Sequence, residues 1–317
     1  CLVNPRACHE TELNFEPTKN KKKIAVVGAG PAGLAASTVA AGRGHEVHLF
    51  ESEPIIGGQF NMAKVIPGKE DYAETLKYYG RQIEVTGVVL HLNKRATVDD
   101  LKDFDEVILA TGVIPRKVDF EGADHAKVLD YVDVLYRAKE VGKSVAIIGA
   151  GGIGFDVAEF LAHQGQSPSL HTEKYMEEWG VDMNYSVGGA LSKPAPAPSP
   201  RTIYLCKRST GKHGKNLGRT TGWIHRASLF MKEVNMIGNA QYLKVDDQGF
   251  HISVDGETQI LDVDHVIICA GQEPLAELYD GLKTAGGNVH LIGGAEKATE
   301  LDAKRAIKQA SYLAAEL

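Results

Sequence analysis

Two glycine-rich turns, Gly28-Ala29-Gly30-Pro31-Ala32-Gly33 and Gly149-Ala150-Gly151-Gly152-Ile153-Gly154, constrain this chain more than any other feature. Each comes after a short apolar run, residues 24–27 and 144–148, of the kind that is buried on both faces of a parallel sheet. Each precedes a helical stretch, 34–42 and 155–163, and then a second strand, 46–50 and 202–206. Strand, glycine turn, helix, strand is a βαβ unit. In such a unit the first glycine permits the tight turn and the second lets the backbone approach a pyrophosphate. The third allows close helix–strand packing. The first amides of the helix, with its dipole behind them, then face the phosphates. One open sheet places one ligand at one switch point, so two sheets and two nucleotides are expected. Glu51, at the end of the first unit's second strand, is placed to accept the hydroxyls of a ribose.

The rest of the chain fits around these units. Val266-Ile267-Ile268-Cys269-Ala270-Gly271 repeats the pattern of Val107-Ile108-Leu109-Ala110-Thr111-Gly112, a buried strand entering a glycine turn. A last strand, His290-Leu291-Ile292, ends in Gly293-Gly294, and a helix is expected over 300–316. The reading is an N-terminal segment 1–20, a first domain from 21–117 and 263–317, and a second domain, 118–262, inserted in it. Residues 164–201, with the run Pro194-Ala195-Pro196-Ala197-Pro198-Ser199-Pro200, read as an irregular insertion that is a lid or a docking surface. The fold class is α/β, with two Rossmann-like dinucleotide-binding domains.

The residues just past the second unit's second strand select its nucleotide. An acid there would favour NADH through the 2′-hydroxyl; Lys207 and Arg208 suit the 2′-phosphate of NADPH. Two solvated cations at a strand end are the alternative. The stretch 209–218 either folds over the adenosine or is mobile. Trp223 and Tyr204 read as packing residues, with Trp223 also a candidate for the nicotinamide side.

Composition narrows the classes. With 35 Lys and Arg against 41 Asp and Glu, the net charge is −6, so a nucleic-acid footprint is not indicated. No apolar run approaches the ~18 residues of a membrane helix. The four cysteines, Cys1, Cys8, Cys206 and Cys269, are too few for a disulfide scaffold, and a reducing cytoplasm is the expected setting. The twelve histidines show no metal spacing and read as surface or packing residues. The chain opens on Cys1 without an apolar leader and is read as a piece of a longer polypeptide, a processed terminus being the alternative.

Gly28 to Gly33, Glu51 and Ile56-Gly57-Gly58-Gln59 together resemble the FAD-binding half of the two-dinucleotide flavoprotein reductases. The resemblance implies that Gly58 and Gln59 approach the flavin side of the cofactor and that the backbone at Ala96 packs on adenine. Ala110-Thr111-Gly112, with Pro115-Arg116 after it, would be the crossover into the NAD(P)H domain. Cys-x-x-Cys is absent, which removes the active disulfide of the thioredoxin- and glutathione-reductase relatives. Cys1-Leu2-Val3-Asn4-Pro5 and Thr220-Thr221-Gly222-Trp223-Ile224-His225-Arg226 are more specific. With them the whole chain resembles the C-terminal FAD- and NADPH-binding portion of bacterial NADPH-dependent 2,4-dienoyl-CoA reductases.

In that family Cys1 would be one ligand of a 4Fe–4S cluster, three further cysteines preceding it, and an FMN barrel, absent here, would bind the acyl-CoA. The resemblance implies that NADPH reduces FAD, with electrons leaving through the cluster to FMN. Gly294 stands where many two-dinucleotide flavoproteins carry an Asp that bonds the ribityl chain; the amides of Gly293 and Gly294 are expected to substitute. ADP alone is the other possible occupant, which the intact second fingerprint disfavours. Rival readings are a related flavin enzyme (enone reductase, amine dehydrogenase, glutamate synthase small subunit) and a non-catalytic nucleotide-holding scaffold.

Overall fold

The computed structural model describes residues 1–299 and 302–317. The chain divides into two compact units with interleaved segments. Cys1–Asn61, Asp71–Ile114 and Gln272–Leu317 make the first, and Met62–Glu70 with Pro115–Gly271 the second. Both are Rossmann-type α/β units.

The first unit is built on a five-stranded parallel sheet in the order Val289–Leu291, Glu106–Leu109, Lys23–Val27, Glu46–Phe50, Val89–His91. Side chains alternate across a strand, so Ile24 and Val26 enter one core with Leu34, Leu49 and Ile307. Ala25 and Val27 enter the opposite one with Phe50 and Leu109. Each fully buried Leu or Ile contributes about 1.5–3 kcal/mol by transfer from water. Helix Pro31–Gly42 starts with Pro at its first turn and runs against helices Tyr72–Thr86 and Ala303–Glu316. Asp302 caps the last helix by accepting the Arg305 N–H. Glu300, the expected start of that helix, lies outside the described residues. The N-terminal segment belongs to this unit: Leu13 is buried, Leu2 and Val3 pack on the core, and the Thr18 N–H donates to Arg43 O.

The second unit repeats the plan with the strands Val128–Asp130, His265–Ile268, Ser144–Ile148, Thr202–Cys206 and Asn235–Ile237, all parallel. Val145 and Ile147 face the fingerprint helix Gly152–Leu161 through Phe155 and Leu161. Ala146 and Ile148 face an antiparallel three-stranded sheet, Ala240–Asp246, Gly249–Val254 and Glu257–Leu261, through Phe250 and Ile252. The Asp255-Gly256 hairpin has positive φ at both residues, as a two-residue primed turn requires.

Three features differ from the sequence reading. Residues 265–268 pair on one side with 144–148 and on the other with 128–130, which places this strand inside the second sheet and moves the return crossing from 262/263 to 271/272. Residues 62–70 belong to the second unit, where Ile66 is fully buried among Phe155, Leu161 and their neighbours. The insertion is partly regular: Pro168–Leu170 is a 3-10 turn and Thr172–Glu178 a helix, with a bridge between Val181 and Leu191. The proline run itself forms no helix or strand. Among the described residues no helix is long and apolar enough to cross a membrane.

Candidate functional site

The two glycine turns are built alike to the level of single atoms. The Gly28 N–H donates to Phe50 O at 2.8 Å, and the Gly149 N–H to Cys206 O at 2.9 Å. Both glycines have φ above +100°. A Cβ on Gly28 would lie 2.5 Å from Ala110 O, and one on Gly149 2.4 Å from Cys269 O. A Cβ on Gly33 would lie 1.8 Å from Gly28 O, and one on Gly154 1.7 Å from Gly149 O. The first and third glycines are thus required by the protein's own packing.

The middle glycines are not. Gly151 has ordinary extended dihedrals, and a Cβ there would meet nothing within 4 Å. At Gly30 it would touch only Gly58 Cα, at 3.9 Å. A glycine whose own fold leaves room for a side chain fits a ligand backbone approaching from outside. The helix starts beside them leave the amides of Ala32 and Gly33, and of Gly152, Ile153 and Gly154, without intrahelical acceptors. Both turns therefore fit a pyrophosphate.

Around the first turn, Glu51 is 8% exposed. Its Oε2 accepts the Ala29 N–H at 2.8 Å, and Oε1 accepts the Glu53 N–H at 2.9 Å. The carboxylate is thereby fixed against the fingerprint, with lone pairs left for ribose hydroxyls. Gly57 donates to Ala29 O at 2.8 Å, and a Cβ on Gly58 would stand 2.9 Å from Gly30 Cα, so the 57–58 loop closes on the turn. Gln59 sits half-buried in that loop. Ala96 is buried with Ala25, Val27 and Phe50, one residue before the Thr97 cap of helix Val98–Leu101. Thr111 Oγ1 donates to Leu275 O, and Gly112 O accepts the Leu275 N–H, so this pair ties the turn after strand Glu106–Leu109 to the 275 segment.

Two expectations need correcting. The Gly293 N–H, expected to face the cofactor, donates instead to Gln309 Oε1 at 2.8 Å, so any substitution for the absent Asp rests on Gly294. Lys207, expected at the nucleotide phosphate, is 9% exposed, and its Nζ donates to Thr210 O at 2.9 Å and Lys212 O at 3.1 Å. Burial leaves an ammonium stable only where it is hydrogen-bonded, and these carbonyls hold it inward. Arg208 next to it is exposed and makes no hydrogen bond or ion pair among the described residues. Trp223 is 58% exposed and is not a packing residue, whereas Tyr204 packs on the second unit's core.

Sequence reasoning missed a charged cluster behind the second fingerprint. Glu159 and Asp156 lie on the fingerprint helix. Glu159 Oε1 meets His225 Nδ1 at 2.8 Å, and Asp156 pairs with Lys69. The Glu159 hydrogen bond raises the His225 pKa above its ordinary value against the opposing effect of burial. No motif joins residues so far apart; the i, i+3 spacing of Asp156 and Glu159 on one helix face was the only signal.

All four cysteines are free thiols. Cys1 and Cys8 are exposed. Burial pushes the Cys206 thiol up to about 12 and Cys269 also above its ordinary range. Among the described residues no group of three His, Cys, Asp or Glu is arranged to hold a metal, and one thiolate at Cys1 does not make a four-iron site.

The family model for pyridine nucleotide-disulphide oxidoreductases matches residues 22–292. The cinnamate reductase of Clostridium sporogenes is 32% identical over 302 residues, 94% of this chain and 40% of that protein. A metal reductase of Desulforamulus reducens is 29% identical over 303 residues, again 94% of this chain and 44% of the relative. A solved 2-naphthoyl-CoA reductase in complex with 2-naphthoyl-CoA matches with a TM-score of 0.83 at 25% identity, covering all of this chain and 43% of that one. Thioredoxin reductase of Lactococcus lactis, at 18% identity and a TM-score of 0.66, shares the fold over 93% of this chain. The chain thus spans less than half the length of the curated relatives it matches.

Proposed function

The chain belongs to the pyridine nucleotide-disulphide oxidoreductase family, and from that premise we propose that it is the NADPH-oxidising, FAD-binding module of a larger reductase. With its cofactors bound, such a module would take hydride from NADPH onto FAD and pass electrons through a 4Fe–4S cluster to FMN on a separate barrel, where a 2,4-dienoyl-CoA is reduced in unsaturated fatty-acid breakdown.

The carrying observation is the pair of middle glycines. Gly30 and Gly151 are free of packing demands in two separately built sheets, which suits two pyrophosphates and hence two dinucleotides. In the first unit Gly28, Gly30, Ala32 and Gly33 cradle the FAD pyrophosphate. Glu51 accepts its ribose, Gly58 and Gln59 line its flavin side, and Gly294 supplies an amide. In the second, Gly149, Gly151 and Gly154 cradle NADPH. Cys1 enters as one cluster ligand of four, the other three and the barrel lying outside these 317 residues. The relatives named for cinnamate and naphthoyl-CoA reduction support an acceptor with a conjugated double bond next to a carboxylate or thioester. A disulfide acceptor is disfavoured, because no Cys-x-x-Cys is present and Cys206 and Cys269 are buried as thiols.

The test is a visible spectrum of the chain reconstituted with FAD, taken without oxygen before and after NADPH. Bleaching of the flavin bands by NADPH, with no reduction of added dienoyl-CoA, is the expected result. A chain that retains no flavin is a nucleotide-holding scaffold instead, and equal bleaching by NADH removes the NADPH assignment.

A further inference from the structure

Lys207 and Arg208 look equivalent in sequence, and the fold separates them. The 207–214 loop is a closed ring. The Lys207 N–H donates to Ile237 O and its carbonyl accepts the Ala240 N–H, while Nζ takes the carbonyls of Thr210 and Lys212 from inside. His213 is buried and pairs through Nε2 with Leu205 O at 3.1 Å. Gly214 then donates to Ala150 O at 3.2 Å, between the first two fingerprint glycines. The ring is thereby fastened to the phosphate turn itself. Turning Lys207 outward would break both Nζ bonds and leave two carbonyls inside the ring without this donor. Arg208 needs no such rearrangement, since its guanidinium is exposed and uncommitted among the described residues.

From this we infer that Lys207 is a positioning residue that holds the 207–214 ring, and that Arg208 alone of the pair reads the nucleotide's 2′-phosphate. The inference rests on the NADPH reading above. Arg suits the task because its planar fork can engage a phosphate bidentately.

Calorimetry on the FAD-reconstituted chain with adenosine 2′,5′-diphosphate and adenosine 5′-monophosphate, which differ only in the 2′-phosphate, separates the roles. The intact chain is expected to prefer the 2′,5′-compound. Arg208→Ala should shrink that preference by roughly tenfold or more. Lys207→Gln should lower the melting temperature and weaken both ligands alike, keeping the ratio. A ratio lost in Lys207→Gln and kept in Arg208→Ala overturns the inference. No preference in the intact chain overturns the NADPH reading on which it stands. Should Lys207→Gln not fold, amine-reactive labelling of the unmodified chain with mass spectrometry decides. Lys207 should label slowly with or without 2′,5′-diphosphate; fast labelling that the ligand suppresses makes it a phosphate contact and sinks the assignment.

Discussion

An alanine methyl at Gly151 would meet no atom within 4 Å, whereas the same methyl at Gly154 would sit 1.7 Å from Gly149 O. The two positions are three residues apart and should respond oppositely. Gly151→Ala is expected to cost no more than about 1 kcal/mol of folding stability, the loss of glycine at a helix N-cap, since its backbone is extended and its surroundings open. It should nevertheless weaken nucleotide binding by more than about tenfold, because the methyl would occupy the approach path of the pyrophosphate. Gly154→Ala should cost about 2–3 kcal/mol, since the obstructing atom is backbone and cannot rotate away. Urea unfolding and nucleotide titration on the two variants check this. Equal destabilisation would mean that Gly151 is structural. At this scale the glycines were legible because their constraint is local: a turn and a close approach. The direction of Lys207 was not legible, because sequence reports a charge but not the carbonyls that fold around it. Gly293 failed similarly, since its partner Gln309 lies in the next helix.

Helix Gly152–Leu161 and helix Gly222–Met231 are joined by the Glu159–His225 pair, which makes their packing depend on pH. His225 has its pKa raised above 6.5 in the fold, chiefly by the Glu159 hydrogen bond. A base held protonated contributes stability that is complete below its unfolded value and is lost as pH rises through the raised one. Buried His45 and His213 and half-buried His91 are shifted the other way, first by burial, so they cost stability as pH falls below about 6.5. Glu159→Gln should therefore reduce thermal stability most at mildly acid pH, with the difference from the parent chain shrinking as pH rises. A difference that does not vary with pH would show that the pair acts only through packing. The fingerprint strands were readable as apolar runs, but the strands of the antiparallel sheet were not. Four of the five residues of Glu257–Leu261 are exposed, so it carries no alternation to read. Helix Thr172–Glu178 has no buried residue and lies between proline-bearing segments, so it lacked a periodic apolar face.

For the molecule as a whole, the sequence announced two dinucleotide units but not where the chain passes between them. Strands 106–109 and 265–268 have the same apolar character and both enter glycine turns, so only their pairing partners assign them to different sheets. Charge is distributed as unevenly as topology. The chain carries 41 acids, yet none falls between Met183 and Lys232, a stretch with nine Lys and Arg. Arg201, Arg226, Lys207 and Lys232 are committed there to carbonyls or to Glu178. Lys193, Arg208, Lys212, Lys215 and Arg219 are exposed. A body with a uniform charge of −6 would repel a polyanionic dinucleotide, and added salt would speed its binding by screening. Exposed cations concentrated in this stretch do the reverse, attracting the ligand through a field that salt weakens over a Debye length of about 8–10 Å. Stopped-flow binding of NADPH should therefore slow as ionic strength rises, by roughly tenfold between about 0.01 and 0.15 M. Charge reversal at Lys212 and Lys215 together should flatten the dependence. A rate that increases with salt would mean that net charge, not these cations, governs the encounter.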